Sequence, residues 1–247
     1  MSRIALLADV HGNTVALDAV LSAIGTADEY WFLGDLVALG PDPVGVIERI
    51  ESLPNARCIR GNTDRYVISM DRPRPTLEEA LADPAVLEVW QEVHASFFWT
   101  QGAVTAARRL VWLEELPLEI RRVLPDGTRV LGVHASPGRD DGDGAHPSHT
   151  DEDLSARFGT SEADVVFVGH THAIVDRVVD GVRVVNPGPV SNPIPGPDEA
   201  RFAIVEAGPQ GHSVELGSTG YDRAAVVDQL ERVRHPSRGY LRRHFEG

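Results

Sequence analysis

The chain has 247 residues, 42% hydrophobic and 24% charged, proportions ordinary for a folded protein and unlike those of a disordered one. Lys plus Arg number 23 against 37 Asp plus Glu; the formal charge of −14 repels polyanions, so stable binding of duplex nucleic acid is not expected. A lone thiol, Cys58, excludes a disulfide framework and a thiolate metal cluster; without a membrane-length run or a basic, cleavable leader, a cytoplasmic protein with no membrane partner is expected.

Ile4 to Ala8 reads as a strand, and Leu17, Val20, Leu21 and Ile24 then share one helical face. Tyr30 to Leu33 is a second strand. Asp42-Pro43 is an N-cap followed by proline at the first helical position, with Ile47, Ile50 and Leu53 as the apolar stripe. Arg57 to Arg60 is a third strand, and the β-α-β-α-β alternation predicts an α/β sheet that begins parallel.

From about residue 66 to 116 the pattern is helical: Thr76 and Glu79 have capping-box spacing, and Val86, Val89, Trp90, Val93 and Phe97 follow helical periodicity. This insertion carries Trp90, Phe97, Phe98, Trp99 and Trp112, which either cap the end of the sheet or pack helices on its flank. The second half is rich in strands. Turns at Pro125-Asp126-Gly127 and Asp180-Gly181 predict hairpins, and Phe202–Glu206 pairs with Ser213–Leu216, giving an antiparallel or mixed arrangement. Arg139 to Thr150 reads as an acidic loop, and a C-terminal helical tail covers about 221–247, with its helix begun by Asp222. The whole, 1–247, reads as one domain.

Five apolar runs end in residues able to bind a metal: Asp9, Asp35, Asn62, His134 and His170, with His11 and His172 close behind. Buried parallel strands read as short apolar runs, and α/β sheets bind ligands beyond their strands' carboxyl ends. Seven ligands are thus expected on one rim. Gly12, Gly34, Gly61 and Gly169 beside them allow sharp bends and close approach. An Asp, Asn and His set without sulfur suits Mn²⁺, Fe²⁺ or Zn²⁺.

The ordered blocks Asp9-Val-His11, Gly34-Asp35, Gly61-Asn62, Gly132-Val-His134 and Gly169-His170-Thr-His172 resemble those of the calcineurin-like metallophosphoesterases. The resemblance implies a four-layer α/β/β/α sandwich of two mixed β-sheets and two divalent metal ions. Asp9, His11, Asp35 and His172 would hold one ion; Asp35, Asn62, His134 and His170 would hold the other, with Asp35 bridging. Ions about 4 Å apart clamp an in-line phosphoryl displacement, so a metal-bridging hydroxide attacking phosphorus is the implied mechanism. Asp35, Asn62 and His134 are its expected catalytic residues. Asn13, Asn62 and His134 are expected to contact the substrate, although Asn13 equally suits the N-cap of the first helix.

Two departures narrow the substrate. Many relatives place histidine after Gly-Asn, where this chain has Thr63, and threonine cannot replace imidazole as a proton donor near pH 7. Gly34-Asp35 also lacks the Asp-Arg-Gly continuation of protein phosphatases. The expected reaction is therefore metal-dependent hydrolysis of a phosphodiester or a nucleotide or dinucleoside polyphosphate, with small phosphorylated molecules as partners. The alternative is a metal-stabilised binding or scaffold protein with little turnover. Trp90 and Trp99 are expected to stack on a nucleoside, the segment Asn186–Pro193 to support the metal residues, and His146 and His149 to reach the rim only if the acidic loop folds back; His94, His212, His235 and His244 are expected at the surface or in packing.

Overall fold

The alternation of the first half is realised as β1 (Ser2–Leu7), α1 (Thr14–Ile24), β2 (Glu29–Phe32), α2 (Pro43–Ser52) and β3 (Ala56–Cys58) in a computed structural model that describes residues 1–69, 71–192 and 199–246. Asn13 caps α1 by accepting from the Ala16 amide, and Asp42 caps α2 by accepting from Gly45, so local side chains set both helix starts. The strand expected over Arg57–Arg60 ends at Cys58. Beyond it, the Arg60 amide leaves the ladder and donates to Pro117 O.

Then follow α3 (Asn62–Ile68), α4 (Leu77–Ala82), α5 (Pro84–Ala106) and α6 (Leu110–Glu114), with the expected Thr76/Glu79 capping box at the start of α4. The second half gives β4 (Glu119–Val123), β5 (Arg129–Val133), α7 (Asp151–Phe158), β6 (Val165–Phe167), β7 (Val175–Val179), β8 (Val182–Asn186), β9 (Glu199–Gly208), β10 (Gly211–Gly220), α8 (Arg223–Arg232) and α9 (Arg238–Leu241). The sequence pattern missed α7, which buries only Leu154 and Phe158 and therefore has little apolar periodicity; its signal is the Thr150/Asp153 capping box. Short α9, with Leu241 its buried residue, falls within the expected helical tail.

Two mixed five-stranded sheets result, in the orders β10-β9-β1-β2-β3 and β4-β5-β6-β8-β7. In the first, β1 runs parallel to β2 and β2 to β3; in the second, β5 runs parallel to β6 and β6 to β8. The three expected hairpins, β4–β5, β7–β8 and β9–β10, are antiparallel. Between the sheets lie Ile4, Leu6, Trp31 and Leu33 from one and Val130, Phe167 and Val185 from the other. Trp31 is fully buried there, with its indole N–H donating to Glu29 at 3.1 Å, and Glu29 pairs across to Arg122 of β4. Helices α1, α2 and α5 cover the first sheet's outer face, and α7 covers the second's. The architecture is the expected four-layer sandwich.

The insertion contributes Val93, Phe97, Val104 and Leu113 to the same flank core as α1 and α2. Phe97 meets Tyr66 of α3 edge-on, with ring centroids 5.8 Å apart. The C-terminal tail packs Val226, Leu230, Leu241 and Phe245 against Val15 and Leu39, the latter in the loop that follows Asp35. No helix among the described residues is long and apolar enough to cross a membrane.

Candidate metal centre

Parallel pairing turns five strand ends into one rim. Asp9 and His11 follow β1, Asp35 follows β2, Asn62 opens α3 after β3, His134 follows β5, and His170 and His172 follow β6. Main-chain bonds lock the loops together: Asp9 N to Gly34 O at 3.1 Å, His11 N to Asp35 O at 2.9 Å, and Gly169 N to His134 O at 2.9 Å. Five of the seven residues take left-handed backbone angles: Asp9 (φ 57°), His11 (50°), Asp35 (55°), His170 (70°) and His172 (55°). Gly12 (φ 59°) and Gly34 (86°) take the bends expected of them, and the ligand-type residues share the same left-handed region. Such conformations cost energy and persist only where surrounding bonds enforce them, a pattern of functional sites. Gly61 serves close approach instead, since a Cβ there would collide with the Asp35 side chain and amide.

Each histidine has one ring nitrogen anchored to a backbone carbonyl. His11 Nδ1 faces Ala38 O at 3.2 Å, His134 Nδ1 Leu33 O at 2.7 Å, His172 Nδ1 Asn192 O at 2.7 Å, and His170 Nε2 Gly142 O at 2.7 Å. The other nitrogen of each is thereby freed as an electron-pair donor, the tautomer that metal ligation requires. Those free nitrogens converge in two groups. Ligand atoms of Asp9, His11, Asp35 and His172 all lie within 4.8 Å of one another. In the second group Asn62 Oδ1 is 3.0 Å from His134 Nε2 and 2.9 Å from His170 Nδ1. Asp35 stands between them, Oδ2 3.7 Å from His11 Nε2 and Oδ1 3.3 Å from His134 Nε2.

The charge balance calls for cations. Asp9 and Asp35 are buried, at 0% and 3% exposure, and Asp9 Oδ2 has no hydrogen-bond partner. A carboxylate oxygen held out of water without a partner is costly. Burial pushes the His11 imidazole down to about 4, against the pull of Asp35, so it is neutral at physiological pH and cannot supply the missing charge. Burial also opposes protonation of His134, but Asp35 and Asp9 outweigh it and raise its pKa. Inward-facing imidazoles and an orphaned carboxylate oxygen fit divalent ions of the borderline class.

A sequence model of the calcineurin-like phosphoesterase superfamily domain matches residues 2–208. The chain belongs to this superfamily. Among solved structures, a metallophosphoesterase from Sphaerobacter thermophilus superposes with a TM-score of 0.74 at 28% identity, covering 99% of this chain and 98% of that one. A hypothetical protein from Pyrococcus horikoshii OT3 shares the fold, with a TM-score of 0.80 at 24% identity and 99% and 98% coverage. An uncharacterized protein of Methanocaldococcus jannaschii is 26% identical over 95% of this chain and 94% of its own length. The symmetrical bis(5'-nucleosyl)-tetraphosphatase of Pectobacterium carotovorum is 36% identical over 89 residues, 32% of each chain.

For this phosphoesterase the structure brings all seven metal candidates to one rim and withdraws other candidates from it. Asn13 is fully buried; its oxygen caps α1, and its amide donates to Ser191 Oγ at 3.0 Å. Both polar atoms of the Asn13 side chain are therefore engaged within the protein. Trp90 stacks on His94 with centroids 4.0 Å apart, and Trp99 packs on His235 at 4.4 Å, so both rings already have partners. His146 pairs with Ser148, and His149 with Arg157 of α7, although their loop folds back to the rim through Gly142 O and Ala145 O, which bind His170 and Thr171. Asn186 does brace the rim, donating to Gly169 O at 2.7 Å and Thr171 Oγ1 at 3.1 Å; Pro193 of its segment lies outside the described residues.

Sequence reasoning missed Asp64, although it stands within the third motif. Its carboxylate accepts from the amides of Leu36 (2.8 Å), Val37 (3.3 Å) and Gly61 (2.9 Å), tying the second and third loops together. His235 is fully buried, and burial pushes its imidazole down to about 4. The unfolded chain therefore binds this proton first as pH falls. Stability from the docked tail should decline from the ordinary imidazole range down to about 4 and level off below it. Melting the metal-free protein across that window should show a shallower decline in His235→Gln than in wild type, and equal slopes would refute the assignment.

Proposed function

We propose that the rim is a dinuclear centre that hydrolyses phosphodiesters or the phosphoanhydrides of nucleotide polyphosphates, with Mn²⁺, Fe²⁺ or Zn²⁺ as the ions. The observation that carries this reading is Asp35, whose two oxygens face two different histidine groups. Asp9, His11, Asp35 and His172 would hold one ion, and Asp35, Asn62, His134 and His170 the other. Two ions so held would supply Lewis acidity and a nucleophile at neutral pH. Asp35 fixes the geometry shared by both groups, its Oδ1 pinned by the Thr63 amide at 2.9 Å. His134 and Asn62 border the space between the groups and would orient the phosphoryl oxygens.

Thr63 supports a restricted substrate class. Its side-chain oxygen is buried and without a hydrogen-bond partner, and a hydroxyl is in any case a poor acid near neutral pH. A leaving group that needs little protonation, such as a nucleotide phosphate or a phenol, suits such a site. The stretch of similarity to symmetrical dinucleoside tetraphosphatases is in keeping with this chemistry.

Purified protein loaded with Mn²⁺ should hydrolyse bis-p-nitrophenyl phosphate and dinucleoside tetraphosphates faster than simple alkyl phosphate monoesters. His134→Ala should lower the diester rate by roughly the ~10²–10³-fold that follows loss of one transition-state contact. Equal rates on alkyl monoesters would refute the leaving-group argument. No metal-dependent turnover on any of these, despite two bound ions, would favour a binding protein.

A further inference from the structure

Asn62 poses an orientation problem that its histidine neighbours do not solve. The amide is nearly symmetric in shape, but only its oxygen can ligate a cation, and a flipped NH₂ would meet the ion with like polarity. The NH₂ therefore needs an acceptor on its far side. Tyr66 is placed to supply one: it follows Asn62 by four residues on α3, the spacing that stacks side chains on one helix face, and its hydroxyl lies beside the Asn62 side chain. The phenol can accept there because its own proton is directed elsewhere, to Asp141 Oδ2 at 2.7 Å.

Asp141 is itself held fast. Arg65 Nη2 donates to it at 3.0 Å, and the Gly142 amide caps its other oxygen at 2.8 Å. The neighbouring Asp140 is buried and gripped by Arg60 at 2.9 Å and Arg65 at 3.0 Å. The Arg65 guanidinium lies 4.8 Å above the Tyr66 ring centroid, and Phe97 closes the ring's edge. The carbonyl of Gly142, in this same loop, receives His170 Nε2 and so turns His170 Nδ1 toward Asn62.

We propose that Tyr66, held by Asp141, is a positioning residue that orients the Asn62 amide oxygen toward the second ion, and that the loop Asp140–Gly142 thereby sets two ligands of one site at once. The proposal rests on the dinuclear reading above. Tyr66 acts through Asn62 and not as a proton donor, because its own proton is directed to Asp141. It also gives the helical insertion a task at the centre, because Phe97 of α5 braces the ring.

The test is a Mn²⁺ titration of metal-stripped full-length protein, read by calorimetry and by electron paramagnetic resonance, on wild type, Tyr66→Phe, Asp141→Ala and Asp141→Asn. Tyr66→Phe keeps the packed ring and removes only the hydroxyl. It should leave the first ion's affinity unchanged and weaken the second by about 10–100-fold, the usual effect of losing an outer hydrogen bond to a ligand. The spin-coupled two-ion spectrum should give way to a mononuclear one at stoichiometric metal. Asp141→Ala should do the same, while Asp141→Asn, which can still accept from the phenol, should largely retain the coupled signal. Urea unfolding of the metal-free forms should change little. Coupled spectra and second-ion affinities equal to wild type in Tyr66→Phe would overturn the proposal, as would equal weakening of both ions. A wild-type protein that binds a single ion would overturn the dinuclear reading itself, which the wild-type titration alone reveals.

Discussion

Asp35→Asn should abolish uptake of both metal ions together and lower kcat/KM on a phosphodiester by more than the ~10²–10³-fold expected for loss of a single transition-state contact. Among the described residues Asp35 is the one carboxylate whose oxygens face both histidine groups, so removing its charge weakens two sites at once. Replacing a residue confined to one group, such as His172, should leave one ion bound. The apo form of Asp35→Asn should be at least as stable as wild type, because a buried anion is replaced by a neutral amide of the same shape. Metal content, calorimetry and diester hydrolysis check the first part, and urea unfolding checks the second. An Asp35→Asn protein that retains two ions, or that hydrolyses diesters within tenfold of wild type, would show that the carboxylate does not bridge.

The second large effect concerns stability. Asp64→Ala should destabilise the metal-free protein by roughly 3 kcal/mol or more, since buried amide donors left without acceptors cost about 1–3 kcal/mol each. The affected donors are Leu36, Val37 and Gly61, all within the loops that carry Asp35 and Asn62. Asp64→Asn keeps one acceptor oxygen and should recover part of the loss. Burial and the nearby Asp35 push the Asp64 carboxyl up to about 7, against the pull of its amide donors, so the neutral asparagine is a mild change. Urea unfolding separates the cases. An alanine variant within 0.5 kcal/mol of wild type, the range of ordinary surface substitutions, would mean that the loops do not depend on these bonds.

The rim of ligand-type residues was legible because its signal is local and repeated. Parallel strands buried on both faces need continuous apolar runs, so LLAD, FLGD, VLGVH and VFVGH each mark a strand and its ligand within a few residues. The hairpins at Asp126-Gly127 and Asp180-Gly181 were legible for a similar reason, since turn chemistry is written in adjacent residues. Short α7 escaped, because an eight-residue helix that buries two side chains has almost no periodic face. Asn13 was left between two roles. Its position before a helix suits a cap, and only the nearness of Ser191, 178 residues away, shows that its amide is also taken.

The sequence by itself determined which residues could ligate a metal and that they stand at strand ends. These are properties of residue type and short spacing. The tertiary structure decided what surrounds them: which nitrogen of each histidine is free, that five of the seven residues are held at positive φ, and that Asp64 ties two of the loops together from behind. Those outcomes depend on contacts between segments as far apart as residues 9 and 170, whose pairing no local pattern encodes. Hydrogen bonding is satisfied by proximity in space, and proximity is settled only when the two sheets close on their shared core.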